Sequence, residues 1–210
     1  MECVTNSAAM QKTFPELTGL NLTMDDDGPV LPDSFLGGTA PRLRSLDLYL
    51  LPFPGSRKLL STATHLVRLE LANDPNIVEK MPPETMVTSI YALTCLEYLS
   101  LFGSYSPPDL ESRRLPSPPR TRFILPNLTT IDFISFSEYL EEILARIDTP
   151  RLNEMHINFS DTLIFESPQL FKFISRRPNI TAPKRAILYL ILMTSHSNSH
   201  HKHQNSENSA

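Results

Sequence analysis

At 210 residues, 40% of them hydrophobic and 20% charged, the chain is long enough for one domain with a sizeable core. Its net charge of −4 gives no reason to expect nucleic acid or a membrane surface as a partner. Two cysteines, Cys3 and Cys95, are too few for a disulfide framework or a four-ligand zinc site, and nineteen prolines against six glycines predict many short elements punctuated by proline.

Residues 1–13 are polar and aperiodic, a segment expected to be disordered. Met1 to Gln11 has no apolar signal region, so an intracellular protein (cytoplasm or nucleus) is expected and the four N-x-S/T sequons are incidental. Phe14-Pro15-Glu16 leads into Leu17-Thr18-Gly19-Leu20-Asn21-Leu22, the first copy of a phrase L-x-x-L-x-L. Asp25-Asp26-Asp27 lacks the alternating ligands and closing Glu of a calcium loop and reads as a solvated turn. Leu31 to Leu36 has room for one helical turn. Ala40-Pro41-Arg42 opens the second copy, Leu43-Arg44-Ser45-Leu46-Asp47-Leu48, and a short helix is expected at Lys58-Leu59-Leu60.

The third copy, Leu66-Val67-Arg68-Leu69-Glu70-Leu71, is the cleanest. Pro83-Glu84 then starts a helix whose apolar stripe is Met86, Val87, Ile90, Tyr91 and Leu93. After the fourth copy, Leu96-Glu97-Tyr98-Leu99-Ser100-Leu101, residues 103–122 form a proline-rich surface loop in which Ser106-Pro107 and Ser117-Pro118 are candidates for a proline-directed kinase. The fifth copy, Leu128-Thr129-Thr130-Ile131-Asp132-Phe133, precedes a helix with Ser137 as N-cap and Glu138, Glu141 and Glu142 near its positive end. Tyr139, Leu140, Ile143, Leu144 and Ile147 form its stripe. The sixth copy, Leu152-Asn153-Glu154-Met155-His156-Ile157, follows Thr149-Pro150-Arg151. A last helix, Pro168 to Arg176, is expected to bury Leu170, Phe171, Phe173 and Ile174. Segment 184–193 is apolar but far shorter than the roughly 20 residues of a membrane span, so one more strand or a plug is expected. The His/Ser/Asn-rich tail 194–210 should be disordered, with no fixed geometry for a metal.

Within the phrase the last two leucines lie two residues apart and share one face of a strand; the first sits at the bend before it. Successive copies begin 26, 23, 30, 32 and 24 residues apart. Leucine-rich repeats run about 20–29 residues, and insertions account for the two long values. Residues 14–183 are therefore expected to form an α/β leucine-rich repeat solenoid. Its shape would be a ribonuclease-inhibitor-like arc, with parallel strands on the concave face and short helices and loops on the convex face. A doubly wound α/β domain would need a reversal of strand order and a glycine-rich first turn, and neither G-x-G-x-x-G nor G-x-x-x-x-G-K occurs.

A proline or small residue stands ahead of the phrase in F-P-E-L-T-G-L-N-L, A-P-R-L-R-S-L-D-L, L-P-N-L-T-T-I-D-F and T-P-R-L-N-E-M-H-I. With Y-L-E-E-I-L-A-R-I-D-T-P-R-L and S-P-Q-L-F-K-F-I-S-R-R-P, residues 14–183 resemble the leucine-rich repeat region of fungal F-box proteins. In that family an F-box docks on the adaptor of a cullin ubiquitin ligase and the repeats hold the substrate. Only thirteen residues precede Phe14, too few for an F-box, so the resemblance implies the adaptor as a partner only where an F-box is supplied elsewhere.

No catalytic, cofactor or metal motif is found: H-E-x-x-H and G-x-S-x-G are missing, and no cofactor is expected. His65 and His156 read as surface side chains and Cys95 as a partly buried thiol. If Leu69 and Leu71 point inward, Arg68, Glu70 and Ala72 point to the open face. Carried along the copies, this gives a central column of Asn21, Asp47, Glu70, Ser100, Asp132 and His156. One flank reads Gly19, Ser45, Arg68, Tyr98, Thr130 and Glu154; the other reads Thr23, Tyr49, Ala72, Phe102, Ile134 and Asn158. The expected partner-binding residues are Asp47, Tyr49, Arg68, Glu70, Tyr98, Ser100, Phe102, Asp132, Ile134 and His156. They suit a protein segment bearing Lys or Arg, with no role for nucleic acid or membrane. The function expected is a non-catalytic protein-interaction module resembling the substrate-binding repeats of an F-box receptor. The alternatives are a free-standing repeat scaffold or truncated paralogue without a ubiquitin role and, behind both, an enzyme without a recognisable motif.

Overall fold

Six times a tight turn delivers the chain to the first leucine of the phrase. The amide of that leucine bonds the carbonyl three residues earlier: Leu17 to Phe14, Leu43 to Ala40, Leu66 to Ala63, Leu96 to Leu93, Leu128 to Leu125 and Leu152 to Thr149, at 3.0–3.4 Å. Proline occupies the second turn position in four of the six, as Pro15, Pro41, Pro126 and Pro150. Its fixed φ suits that position, and it gives up no needed amide there. The proline ahead of four of the six leucines is thus turn chemistry.

The computed structural model describes residues 12–23, 34–49, 56–72, 81–103, 122–159, 167–176 and 188–190. Its strands are β1 (Gly19–Thr23), β2 (Ser45–Tyr49), β3 (Arg68–Ala72), β4 (Tyr98–Phe102), β5 (Phe123–Ile124), β6 (Thr130–Ser135), β7 (Ile147–Asp148), β8 (Glu154–Phe159) and β9 (Leu188–Leu190). The helices are α1 (Ser56–Thr62), α2 (Pro83–Ile90), α3 (Ser137–Arg146) and α4 (Pro168–Ser175). The molecule is α/β: a seven-stranded sheet ordered β1-β2-β3-β4-β6-β8-β9, every neighbouring pair parallel, and a small β5-β7 sheet. Strand order follows chain order without a reversal.

The bend before each strand has its own bonding rule. The residue just ahead of a strand offers its carbonyl to two consecutive amides of the next copy. Thr18 accepts from Arg44 and Ser45, Arg44 from Val67 and Arg68, Val67 from Glu97 and Tyr98, Glu97 from Thr129 and Thr130, and Thr129 from Asn153 and Glu154. This satisfies backbone groups that the bend would otherwise leave unpaired. Asn127 adds a side-chain tie, donating to the Thr94 carbonyl at 2.9 Å and accepting from Arg151 at 2.9 Å.

Register follows from the period-two pattern. Leu20, Leu46, Leu69, Leu99, Ile131 and Met155 stand side by side, as do Leu22, Leu48, Leu71, Leu101, Phe133 and Ile157. Together with Leu59 and Leu60 of α1, Met86, Val87 and Ile90 of α2, Leu140, Ile143 and Leu144 of α3, and Phe173 of α4, they form one core cluster. Among the described residues, helices cover one face of the sheet and leave the other open.

Several expectations change on inspection. Ala72 is buried rather than open to solvent. Tyr91 follows the last residue of α2 and is 52% exposed, its ring 5.4 Å from that of Phe123. In α4 only Phe173 is buried and Leu170 partly so, while Phe171 is 65% and Ile174 38% exposed. The cause is helical geometry: 170 and 173 share one stripe, and 171 and 174 lie about 100° around from it. Ser137 is the first residue of α3, and Phe136, with an extended backbone, holds the cap position. The expected helical turn is a 3₁₀ segment at Phe35–Gly38, left-handed at Leu36 (φ 53), Gly37 (φ 68) and Gly38 (φ 72), which glycine tolerates and leucine does not favour. Of the apolar segment 184–193, residues Leu188–Leu190 form β9 against β8. Expectations for residues 1–11, for the Asp25–Asp27 turn, for the Ser-Pro sites within 104–121 and for 194–210 lie outside the described residues.

Candidate functional site

All ten expected partner-binding residues lie on the open face, in the columns read from the phrase. Asn21 pairs in register with Asp47, Asp47 with Glu70, Glu70 with Ser100, Ser100 with Asp132, and Asp132 with His156. Tyr49, Phe102 and Ile134 share one flank, Arg68 and Tyr98 the other. Among the described residues the face carries four carboxylates, Asp47, Glu70, Asp132 and Glu154, against the single guanidinium of Arg68.

Side chains then link the columns diagonally. The Tyr49 hydroxyl donates to Glu70 Oε2 at 2.5 Å, and Arg68 forms an ion pair with the other oxygen of Glu70. The Arg68 guanidinium lies 3.9 Å from the centre of the Tyr98 ring, a cation–π contact. Tyr98 in turn donates its hydroxyl to Asp132 Oδ2, whose other oxygen meets His156 Nδ1 at 2.5 Å. One connected network therefore runs from Tyr49 on β2 to His156 on β8. Within it both tyrosines are held in their neutral form, each hydroxyl pushed up to about 12. For Tyr49 the bond to Glu70 is the main cause; for Tyr98 burial leads and the Asp132 bond follows.

Asp47 lies outside this network. Asn21 donates to its Oδ2 at 3.4 Å, a weak contact, and its Oδ1 is shielded with no hydrogen-bond partner among the described residues. Burial raises its pKa, and the neighbouring charge of Glu70 adds to the rise. A group whose folded pKa is raised costs stability once ionised, so the penalty is absent below the ordinary value of 3.8 and appears as pH rises through the folded value. Asp47→Asn is expected to stabilise the fold at neutral pH by less than about 1 kcal/mol and to have no such effect in acid, measured by denaturant titration at both pH values. A variant destabilised at neutral pH would contradict this.

No protein-family model, curated protein or solved structure matches the chain. Among the described residues there is no helix long and apolar enough to cross a membrane, and no group of three metal-ligating side chains.

Two concavities lie among the described residues. One, of about 470 Å³, lies along the N-terminal ends of the strands and brings Arg44, His65, Cys95 and Glu97 together. Sequence spacing gave no hint of the His65–Cys95 proximity, because both sit at the third position of a β-turn, visible only once the turns are aligned. No hydrogen bond joins them among the described residues. The other, of about 460 Å³, opens on the sheet face and is lined by Ser100, Asp132, Ile134, His156 and Asn158 among others. Its Asp132–His156 pair resembles the orienting half of a catalytic triad, but Ser100 lies across Asp132 from His156. Their strands lie two spacings, about 10 Å, apart, and no hydrogen bond joins the two side chains among the described residues.

Proposed function

We propose that the chain is a leucine-rich repeat solenoid acting as a non-catalytic protein-interaction module. Its concave sheet face receives a partner segment bearing Lys or Arg. The observation that carries the reading is the open face itself: in-register columns with four carboxylates against one guanidinium, flanked by aromatic and aliphatic side chains. Such a face attracts cationic segments and disfavours acidic ones. Strand order that follows chain order, with a turn and a bend repeated at every copy, supports the solenoid. The resemblance to fungal F-box proteins makes substrate recognition for a ubiquitin ligase the specific setting. The cullin adaptor then joins only through an F-box supplied elsewhere.

Phe102 gives the cleanest test. It is 48% exposed and beside Ile134, whereas Tyr98 is tied to Asp132 and Arg68, so truncating Tyr98 also disturbs the charges. Proteins captured from native cells by the wild-type chain should be lost or reduced about tenfold by Phe102→Ala, as expected for an aromatic anchor. Quantitative mass spectrometry of the two captures reads the difference. Recovery of the cullin adaptor with the partners supports the ligase setting; an identical set of partners for both chains sinks the concave-face proposal.

A further inference from the structure

Building on the acidic-face reading, we propose that the cleft between β4, β6 and β8 is a proton-gated seat for one lysine side chain of the partner. The cleft holds about 460 Å³, ample for an ammonium and its stem. Asp132 lies within it, with Oδ2 accepting from Tyr98 and Oδ1 facing His156 Nδ1 at 2.5 Å. A carboxylate offers about four acceptor positions, so two remain for an incoming ammonium. Ser100 and Asn158, which also line the cleft, carry further oxygen acceptors.

His156 decides when the seat is open. A carboxylate only accepts, so Nδ1 carries the proton shared with Asp132. In the neutral ring Nε2 then bears a lone pair and accepts from the ammonium. In the imidazolium Nε2 carries a proton, and a full positive charge stands beside the seat. Among the described side chains the remaining titratable groups are Glu154 on the same strand and Tyr98 on β4, acting through Asp132. Protonating the ring thus sets a like charge against the incoming ammonium, so lysine binding should weaken on acidification.

The test uses fluorescein-labelled decalysine and decaglutamate peptides, with binding read by fluorescence anisotropy at about pH 8 and about pH 5.5. Wild type should prefer decalysine and bind it about fivefold more tightly at the higher pH, the effect of one like charge at about 4 Å in water. His156→Asn keeps an amide donor towards Asp132 without a titrating ring, and should bind decalysine alike at both pH values. Asp132→Asn should weaken decalysine at about pH 8 by at least the same fivefold factor. His156→Asn answers independently should Asp132→Asn fail to fold, which circular dichroism would reveal. A pH difference that persists in His156→Asn, or full decalysine binding by folded Asp132→Asn, overturns the gated cleft while leaving the acidic face standing. Equal or absent binding of both peptides by wild type overturns the face and the cleft together.

Discussion

Leu69→Ala is expected to destabilise the protein by about 3–4 kcal/mol, whereas Leu20→Ala, at the equivalent place in β1, should cost about 1 kcal/mol. Both leucines hold the same position in the phrase and the same register row. They differ in what surrounds them. Leu69 is 0% exposed, with Leu46 on one side and Leu99 on the other, inside the core cluster. Leu20 is half-buried and, among the described residues, has a strand neighbour on one side only. Removing three carbons from Leu69 leaves a cavity that its neighbours cannot collapse into, since they belong to strands fixed in register. At Leu20 solvent already reaches the site, so the cavity component is small. Denaturant titrations of the two variants measure the contrast. Equal losses would mean that the β1 edge is as enclosed as the centre of the sheet.

The two faces of the sheet were legible because strand side chains alternate without exception. Once Leu69 and Leu71 are assigned inward, Arg68 and Glu70 have no other place to go, and the in-register rows repeat that choice at every copy. The failure at Ala72 is informative: it ends β3, and small apolar residues at strand ends are as readily covered as exposed. The network across the face was not legible, although every member was named. Tyr49 stands opposite Ala72 yet bonds Glu70, and Tyr98 stands opposite Thr130 yet bonds Asp132. Both contacts are diagonal, reached because tyrosine is long enough to span to a neighbour two residues along the next strand. A column read straight across cannot show them. They change the chemistry of the site, since Glu70 and Asp132 already have partners and the carboxylates are not interchangeable points of charge. The prolines before the phrase were visible as a pattern, but their meaning required the six aligned turns. The stripe of α4 failed for a simpler reason: eight residues make barely two turns, too few for a period to separate 170 and 173 from 171 and 174.

Glu141→Ala is expected to cost about 2 kcal/mol, a loss out of proportion to a partly exposed glutamate on a short helix. The carboxylate does not serve α3, where it resides. It crosses to the start of α4, accepting from the Gln169 amide at 2.6 Å and the Leu170 amide at 2.8 Å. These are first-turn amides that a helix cannot satisfy internally, and Ser167 at the cap position supplies no side-chain bond to them. Alanine would orphan both amides beside the α3–α4 contact, which also seats Phe173 in the core. Glutamine keeps one acceptor and should lose about half as much. The pH dependence has a definite sign. Burial raises the Glu141 pKa above its ordinary 4.5, although the two amides and Lys172 pull the other way. The stability tied to the raised pKa is therefore fully present below 4.5 and declines as pH rises through the folded value. The non-titrating Glu141→Gln variant should accordingly close on the wild type as pH rises above 4.5. Amide hydrogen exchange at Gln169 and Leu170 supplies the site-specific readout. Both should exchange faster in Glu141→Ala, ahead of any change in the β3 and β4 amides, because α4 is held at its start by a side chain belonging to the copy before it.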